Sequence, residues 1–368
     1  MKWQWKLGRF AGIDVFIHAT FLLIIGWVGY SHWLAHRDWI EVFKGIGFIL
    51  ALFGCVVLHE YGHALTARKY GIKTRDITLY PIGGVARLER MPDRPIEELW
   101  VALMGPAVNV VIAALVFAVL FLTGGLVPLS DLTVASGSFL ERLLVVNVIL
   151  VLFNLLPAFP MDGGRVLRAL LAMRMEYVRA TQIAANIGQG MAFLFGLVGL
   201  FGNPFLLFIA FFVWIGASQE ASMVQMKDSI SGIPVTRAMM TDFQVLSPRD
   251  TLARVVGLIL SGSQHDFPVV DAMGSVAGVL ERDAFMRALT QHGQSAPVMD
   301  FVRRDLPEVD SYDMLEMALM RLQEVGAKTL PVTHGGQLVG LVTAENVTEY
   351  LMIRSALKAA NGIPIPAV

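Results

Sequence analysis

The sequence has few charged side chains. Aspartate, glutamate, lysine and arginine make up only 16% of its 368 residues, compared with about 25% in a typical soluble protein. Hydrophobic residues make up 55%, and the mean hydropathy is +0.60. These proportions exclude an ordinary soluble protein and indicate a chain that lies largely in a membrane.

Three further absences narrow the possibilities. The sequence has one cysteine, Cys55, which excludes a framework of intrachain disulfides. The formal net charge at pH 7 is −1, which gives no basis for binding nucleic acid, and we exclude that class of partner. No small-residue cleavage site follows the first apolar run, "FLLIIGWVGYSHW", so we expect a retained helix rather than a signal peptide.

The charges that are present lie mainly in the last part of the chain. Long apolar stretches fill residues 1–226, whereas charged residues recur every few positions from Lys227 onward. This contrast predicts a transmembrane domain at 1–226 and a smaller soluble α/β domain at 227–368.

Six apolar runs are long enough to cross a membrane, which takes about 20 residues for about 30 Å of hydrocarbon. We therefore expect a polytopic α-helical membrane protein with about six transmembrane helices, at 15–33, 43–67, 98–123, 140–159, 180–201 and 204–225. Lysine and arginine precede the first run and cluster after the second and fourth, whereas the connection at 124–139 carries only Asp131. Because such clusters mark cytoplasmic loops, both termini are expected in the cytoplasm, with the protein in the cell membrane.

The second run ends in "VVLHEYGHAL", which puts His59, Glu60 and His63 at membrane depth. Residues four apart lie on one face of a helix, so the two imidazoles can bind one metal ion, with Glu60 as general base on a water. An ionised side chain at this depth costs about 2.5–3.5 kcal/mol, so such residues persist mainly where they face a polar interior. A metal site is therefore favoured over a chance occurrence of the motif.

A catalytic zinc ion takes a third protein ligand, and Asp162 in "FNLLPAFPMDGGRVLRAL" is the best candidate. It follows the fourth run, so it reaches the same membrane depth as the histidines. Two prolines interrupt the helix, and Gly163 and Gly164 permit unusual backbone angles, so unwound backbone could turn the carboxylate inward. Taken alone, the segment is more typical of a turn between spans.

The motifs "HEYGH", "MGPAVN" and "NLLPAFPMDGGR", in this order, resemble the site-2 protease family of intramembrane zinc metalloproteases. The resemblance covers the predicted transmembrane domain and puts its core in the second to fourth spans. It implies one zinc ion per chain, bound by His59, His63 and Asp162. It also implies that Glu60 is the general base and that Asn154 stabilises the oxyanion.

Other residues receive weaker expectations from the same resemblance. Asn109 in "MGPAVN" is expected to pack beside the site or to contact substrate, and His18 to serve substrate access or to lie at the membrane interface. The segment "ITLYPIGGVARLE" predicts a hairpin or a re-entrant loop. In the family this loop looks like a strand-pairing platform for substrate, which makes Gly83 and Gly84 candidate substrate contacts.

The soluble part contains a repeat. "SPRDTL" and "FPVVD" recur 63 residues later as "DSYDML" and "LPVTH". Each copy predicts helix, strand, strand and helix, and the pair resembles tandem CBS domains at about 234–292 and 296–355. Members of that family hold an adenosine ribose with Thr or Ser and an Asp three residues later. Here the second copy offers Thr343 with Asn346, so an adenine nucleotide regulator and a purely structural or dimerising module both remain open.

The sequence thus predicts an intramembrane zinc metalloendopeptidase that cleaves membrane-anchored regulatory proteins, with a cytoplasmic CBS module whose role, nucleotide-responsive or structural, is left open. Its expected partners are a membrane-anchored protein substrate, the lipid bilayer and a second copy of the chain through the CBS modules. The alternative is a CBS-gated divalent-cation transporter or channel, in which the three metal ligands form a transit site. Glu60 favours the enzyme, because transit needs ligands but no general base.

Overall fold

The structure is a computed structural model that describes residues 3–92, 94–125 and 137–359. The chain forms two compact units, Met1–Val224 and Gln225–Val368. Asp131 and most of the connection predicted at 124–139 lie outside the described residues.

The first unit contains a four-stranded sheet as well as helices. Its strands lie in the order β1 (Gln4–Phe10), β2 (Ile13–His18), β3 (Thr74–Tyr80) and β4 (Gly83–Leu88). β1 and β2 form one antiparallel hairpin, β3 and β4 form another, and β2 pairs with β3 in parallel. The hairpin predicted for "ITLYPIGGVARLE" is confirmed, and β4 lies at one edge of the sheet.

The helices that begin in this unit, within the described residues, are α1 (Phe21–His36), α2 (Trp39–Lys69), α3 (Pro95–Leu122), α4 (Phe139–Asn154), α5 (Asp162–Ala172), α6 (Tyr177–Phe201) and α7 (Phe205–Ile230), and α7 ends beyond it. Among them, α2, α3, α6 and α7 are long and apolar enough to cross a membrane. Helices α1 and α4 have 16 residues each. At that length they rise about 24 Å, less than the hydrocarbon thickness of about 30 Å. A multi-pass membrane protein is confirmed, whereas the count of six spans is not.

The start of the first predicted span is wrong. Residues 15–18 belong to β2, and the helix begins only at Phe21. β2 is held as a strand by main-chain hydrogen bonds to β1 and β3 on both sides, and hydropathy alone does not distinguish such a buried strand from a helix. His18 therefore lies at the end of a strand rather than within a transmembrane helix.

The turn between α4 and α5 also differs from its prediction. Asp162 is the first residue of a helix rather than part of unwound backbone, although residues 155–161 before it are irregular. Gly163 and Gly164 are helical. A Cβ atom on Gly163 would meet the carbonyl oxygen of Leu156, and one on Gly164 would lie 2.6 Å from the backbone nitrogen of Phe159. The glycines thus allow a close approach of two backbone segments rather than unusual backbone angles.

The second unit repeats one arrangement twice. Its elements are α8 (Leu252–Ser261), β5 (Phe267–Val270), β6 (Val276–Leu280), α9 (Arg282–His292), β7 (Val309–Asp310), α10 (Leu315–Val325), β8 (Thr329–His334), β9 (Gln337–Thr343) and α11 (Ala344–Ala359). Each copy has a helix, an antiparallel pair of strands and a helix, as the repeat predicts. Each copy also has its own apolar core, one around Phe267 and the other around Leu330.

A buried ion cluster fastens α5 within the first unit. Arg168 on α5 is 0% exposed, and its Nε donates to Glu98 of α3 at 2.8 Å. Its Nη1 donates to Glu220 of α7 at 2.5 Å. The guanidinium also lies 5.0 Å from the ring centroids of Phe159 and Tyr177. Because α5 begins with Asp162, this cluster fixes the helix that carries a candidate metal ligand.

Replacing Arg168 with alanine should destabilise the first unit strongly, because two carboxylates would lose their buried counter-charge. We expect a loss of about 3–5 kcal/mol in the free energy of unfolding. Reversible unfolding in mixed micelles measures it. Arg174→Ala, which removes an exposed charge just after α5, is the control and should change the value by less than about 0.5 kcal/mol. Equal stability of the two variants would contradict the assignment.

Candidate metal centre and active site

Three buried side chains meet between α2 and α5. His59 and His63 lie one turn apart on α2, and Asp162 approaches from the start of α5. The Nε2 atoms of the two histidines lie 3.1 Å apart, and they lie 3.1 and 3.2 Å from Asp162 Oδ2. The structure therefore brings together the three residues that were expected to bind metal.

The donor set and its spacing fit zinc. Two nitrogens and one carboxylate oxygen match the three protein ligands of catalytic zinc sites, and tetrahedral ligands at about 2.0–2.1 Å from zinc lie about 3.3–3.4 Å apart. Among the described residues, His59, His63 and Asp162 form the group that could hold a metal ion. Gly105 on α3 leaves space for it, because a Cβ atom there would meet Nε2 of His63.

The outer nitrogens of both histidines face acceptors. His59 Nδ1 lies 2.6 Å from Oδ1 of Asn109, and His63 Nδ1 lies 2.7 Å from the carbonyl oxygen of Val101. Each Nδ1 therefore carries the hydrogen, and each Nε2 offers its lone pair toward Asp162. Asn109 is 0% exposed and packs beside the site, whereas contact with substrate stays a prediction.

Strand β4 holds Glu60 in place. Oε2 of Glu60 accepts a hydrogen bond of 3.0 Å from the backbone amide of Ala86. A Cβ atom on Gly84 would lie 2.9 Å from Cγ of Glu60, so the absence of a side chain there lets the strand approach the glutamate. Gly83 opens the strand with a φ of 144°, a conformation that favours glycine.

The candidate metal ligands and Glu60 border a cavity of about 440 Å³, a volume within the 300–1,000 Å³ typical of ligand sites. It is lined by the three candidate metal ligands and by Glu60, Gly83, Gly84, Ala86, Asn154 and Phe212, among others. Asn154, the last residue of α4, thus borders the same space as Glu60. His18 lies behind one of the residues that line the cavity. Its ring stacks on that of Tyr80, with 5.1 Å between the ring centroids, and Tyr80 lines the cavity.

Two polar groups near the site escaped sequence analysis. Arg168 looked like one of several basic residues after the fourth span, and Asn147 lies within an apolar helix. The signal for Asn147 was its amide in the run "VVNVIL", since a polar side chain at membrane depth needs a partner. Its partner, Asn109, is distant in sequence and could not be identified from it.

The predicted nucleotide residues lie in the second unit. Thr343 Oγ1 accepts from the backbone amide of Asn346 at 3.0 Å and lies 2.5 Å from its Oδ1, so the two residues cap the start of α11. They also line a cavity of about 470 Å³ together with Arg282, Lys328 and Asp266.

Comparison with known proteins agrees with both units. The profile of Peptidase family M50 matches residues 47–137 and 125–197, and the CBS domain profile matches residues 298–353. The zinc metalloprotease MJ0392 of Methanocaldococcus jannaschii is 30% identical over 355 residues, which cover 96% of this chain and 97% of that protein. Stage IV sporulation protein FB of Bacillus subtilis is 27% identical over 157 residues, or 42% of this chain and 51% of that protein.

Among solved structures, the site-2 protease from Methanocaldococcus jannaschii is 36% identical and covers 60% of this chain and 95% of its own, with a TM-score of 0.44. The sequence match to MJ0392, which extends over nearly the whole of both chains, decides the class. The chain belongs to peptidase family M50. The predicted site-2 protease family membership, with its CBS domains, is confirmed, and a cation transporter is not favoured.

Proposed function

We propose that this chain is an intramembrane endopeptidase that uses one zinc ion to cleave membrane-anchored regulatory proteins. The observation that carries the proposal is the buried group of His59, His63 and Asp162 in one cavity with Glu60 and strand β4. A soluble metalloprotease would not need these groups on a helix long and apolar enough to cross a membrane, and α2 is such a helix.

A zinc ion held by His59, His63 and Asp162 would supply Lewis acidity toward the scissile carbonyl and toward water. Glu60 then accepts the proton of the attacking water and passes it to the leaving amine. The Asn154 amide, which lines the same cavity, donates to the oxyanion that develops on the carbonyl. The hydrogen bond from Ala86 orients the Glu60 carboxylate for this transfer.

Strand β4 is the proposed docking strand for the substrate. It is an edge strand, and the bond from its Ala86 amide to Glu60 shows that this amide points away from β3 and toward the cavity. A helical substrate has its carbonyls bonded internally, so it must unwind before hydrolysis. An unwound peptide beside Gly83–Ala86 would regain main-chain hydrogen bonds from β4 while its carbonyl approaches Glu60.

The ligand and base roles can be separated by two variants. Glu60→Gln should retain about one zinc per chain and lose proteolysis, because it removes the base and leaves the ligands. Asp162→Ala should lose both, because a three-ligand site becomes a two-ligand one. Metal analysis of the purified proteins and cleavage of a single-span substrate in liposomes measure the two quantities.

Each result has an opposing outcome. Full zinc occupancy in Asp162→Ala would remove Asp162 from the ligand set. A Glu60→Gln protein that still moves divalent cations across liposomes, with wild-type activity, would favour a transporter. The same variant serves as a trap, and single-span proteins that co-purify with it but not with Asp162→Ala would identify the substrates.

The proposed orientation puts the termini, the sheet and the second unit in the cytoplasm, because the lysine and arginine clusters lie on that side. Single cysteines at the exposed positions Arg75 and Asn203, in a Cys55→Ala background, test it. An impermeant thiol reagent on intact cells should label Asn203→Cys and leave Arg75→Cys unlabelled until the cells are opened. The reverse pattern would invert the topology.

We propose that the cavity bordered by Thr343 and Asn346 binds an adenine nucleotide that regulates cleavage. Two cationic side chains, Arg282 and Lys328, line it and would neutralise phosphate, although Lys328 already pairs with Asp283 at 2.7 Å. Calorimetry with AMP and ATP on the full chain should detect binding that weakens at least about tenfold in Arg282→Ala. Arg287→Ala, an exposed position on the same helix α9, is the matched control.

If the wild-type chain binds no nucleotide, the regulatory role is wrong and the structural or dimerising role of the CBS module remains. In that role the module pairs two copies of the chain, and sedimentation of the purified protein distinguishes a dimer from a monomer.

A further inference from the structure

We propose that Asn147 is a positioning residue that sets the tautomer of His59 by fixing the orientation of the Asn109 amide. The inference rests on the proposed zinc site, since it concerns which nitrogen of His59 is left free to bind the metal. It links three helices of the first unit through one line of hydrogen bonds, from α4 through α3 to α2.

The line begins at a main-chain carbonyl of α4. Nδ2 of Asn147 donates to the carbonyl oxygen of Leu143 at 2.8 Å, and this oxygen can only accept. The same Nδ2 also lies 3.5 Å from Sγ of Cys55, a weak acceptor. Both hydrogens of the Asn147 amide are therefore directed away from Asn109, and its Oδ1 is the atom that faces α3.

The next two bonds transmit this orientation to the metal ligand. Asn109 donates from Nδ2 to Asn147 Oδ1 at 2.8 Å, so its own Oδ1 is turned toward α2. That oxygen lies 2.6 Å from His59 Nδ1, which must then carry the hydrogen. His59 Nε2 is left as a lone pair aimed at Asp162, 3.1 Å away.

Burial makes the order of donors and acceptors compulsory. Asn109 and Asn147 are both 0% exposed, so water does not replace a lost partner. Turning the Asn109 amide over would set its nitrogen against the Nδ1–H of His59 and its oxygen against the oxygen of Asn147. Asn147 cannot turn in compensation, because its oxygen would then meet the carbonyl of Leu143.

His63 provides a control within the same molecule. Its Nδ1 faces the main-chain carbonyl of Val101 at 2.7 Å, and a main-chain carbonyl needs no second group to orient it. Loss of Asn147 should therefore change the tautomer of His59 and leave that of His63 unchanged.

The test is nitrogen NMR of the full chain labelled with ¹⁵N-histidine and freed of metal, with signals assigned by His59→Gln and His63→Gln. In wild type both rings should be protonated at Nδ1. In Asn147→Leu, His59 should shift toward protonation at Nε2, and zinc affinity, measured by competition with a chelator, should fall by about 10–100-fold. Leu144→Ala, a buried truncation on the same helix, controls for packing and should keep the wild-type tautomer.

A rescue separates positioning from general damage. In the double variant Asn109→Asp with Asn147→Leu, both oxygens of residue 109 accept, so no second residue is needed to orient it. His59 should regain the Nδ1 hydrogen, and zinc affinity should rise above that of Asn147→Leu. Asn147→Ala is the second variant if leucine does not fold at this position.

The possible results divide clearly. If His59 keeps its Nδ1 hydrogen and wild-type zinc affinity in a folded Asn147 variant, the proposal is wrong. It is also overturned if His59 and His63 shift together, or if the double variant does not restore the tautomer. If the tautomers behave as proposed but the wild-type chain binds no zinc, the proposed protease function fails while the positioning role stands.

Discussion

A polar group inside a membrane protein has little water to bond with, so it must find its partner within the protein. The site of this chain is organised by that constraint. His59, His63 and Asp162 face one another, and the far nitrogens of the histidines reach Asn109 and a main-chain carbonyl. Helices α2, α3 and α5 are thereby held in a particular arrangement, because the groups that face the two α2 histidines come from α3 and α5.

The sheet contacts the same site from one side, through strand β4. The strands β3 and β4 come directly after α2 in the chain, so the hairpin returns to the end of the helix that carries the histidines. The residues that let it approach are small: Gly84 lies against Glu60, and the Ala86 amide bonds to the same carboxylate. A strand edge and the proposed general base are thus fixed together by one hydrogen bond, which would couple where a peptide lies to where its carbonyl is attacked.

Much of the site could be predicted because its signals are local or follow from membrane depth. The spacing of His59 and His63 fixes one helix face, and the positions of the spans put Asp162 at the same depth. The β2 strand was misassigned because its apolar stretch "VFI" is too short to show a period that separates strand from helix. The role of Gly163 and Gly164 was missed because close contact with Leu156 and Phe159 depends on a tertiary turn.

Helix α5 shows how a candidate metal ligand can be held rigidly at the end of a short element. Its first residue, Asp162, reaches the histidines, and Arg168, nearly two turns later, is fastened to Glu98 and Glu220. With a zinc ion bound, α5 would be attached at Asp162 as well as at Arg168, and two attachments restrict the movement of a short helix more than one does. A site needs its ligands held within about 0.5 Å of the productive geometry, and side chains locked by other polar contacts provide this. The buried arginine therefore contributes to the metal centre through the backbone of α5, although it does not contact the centre itself.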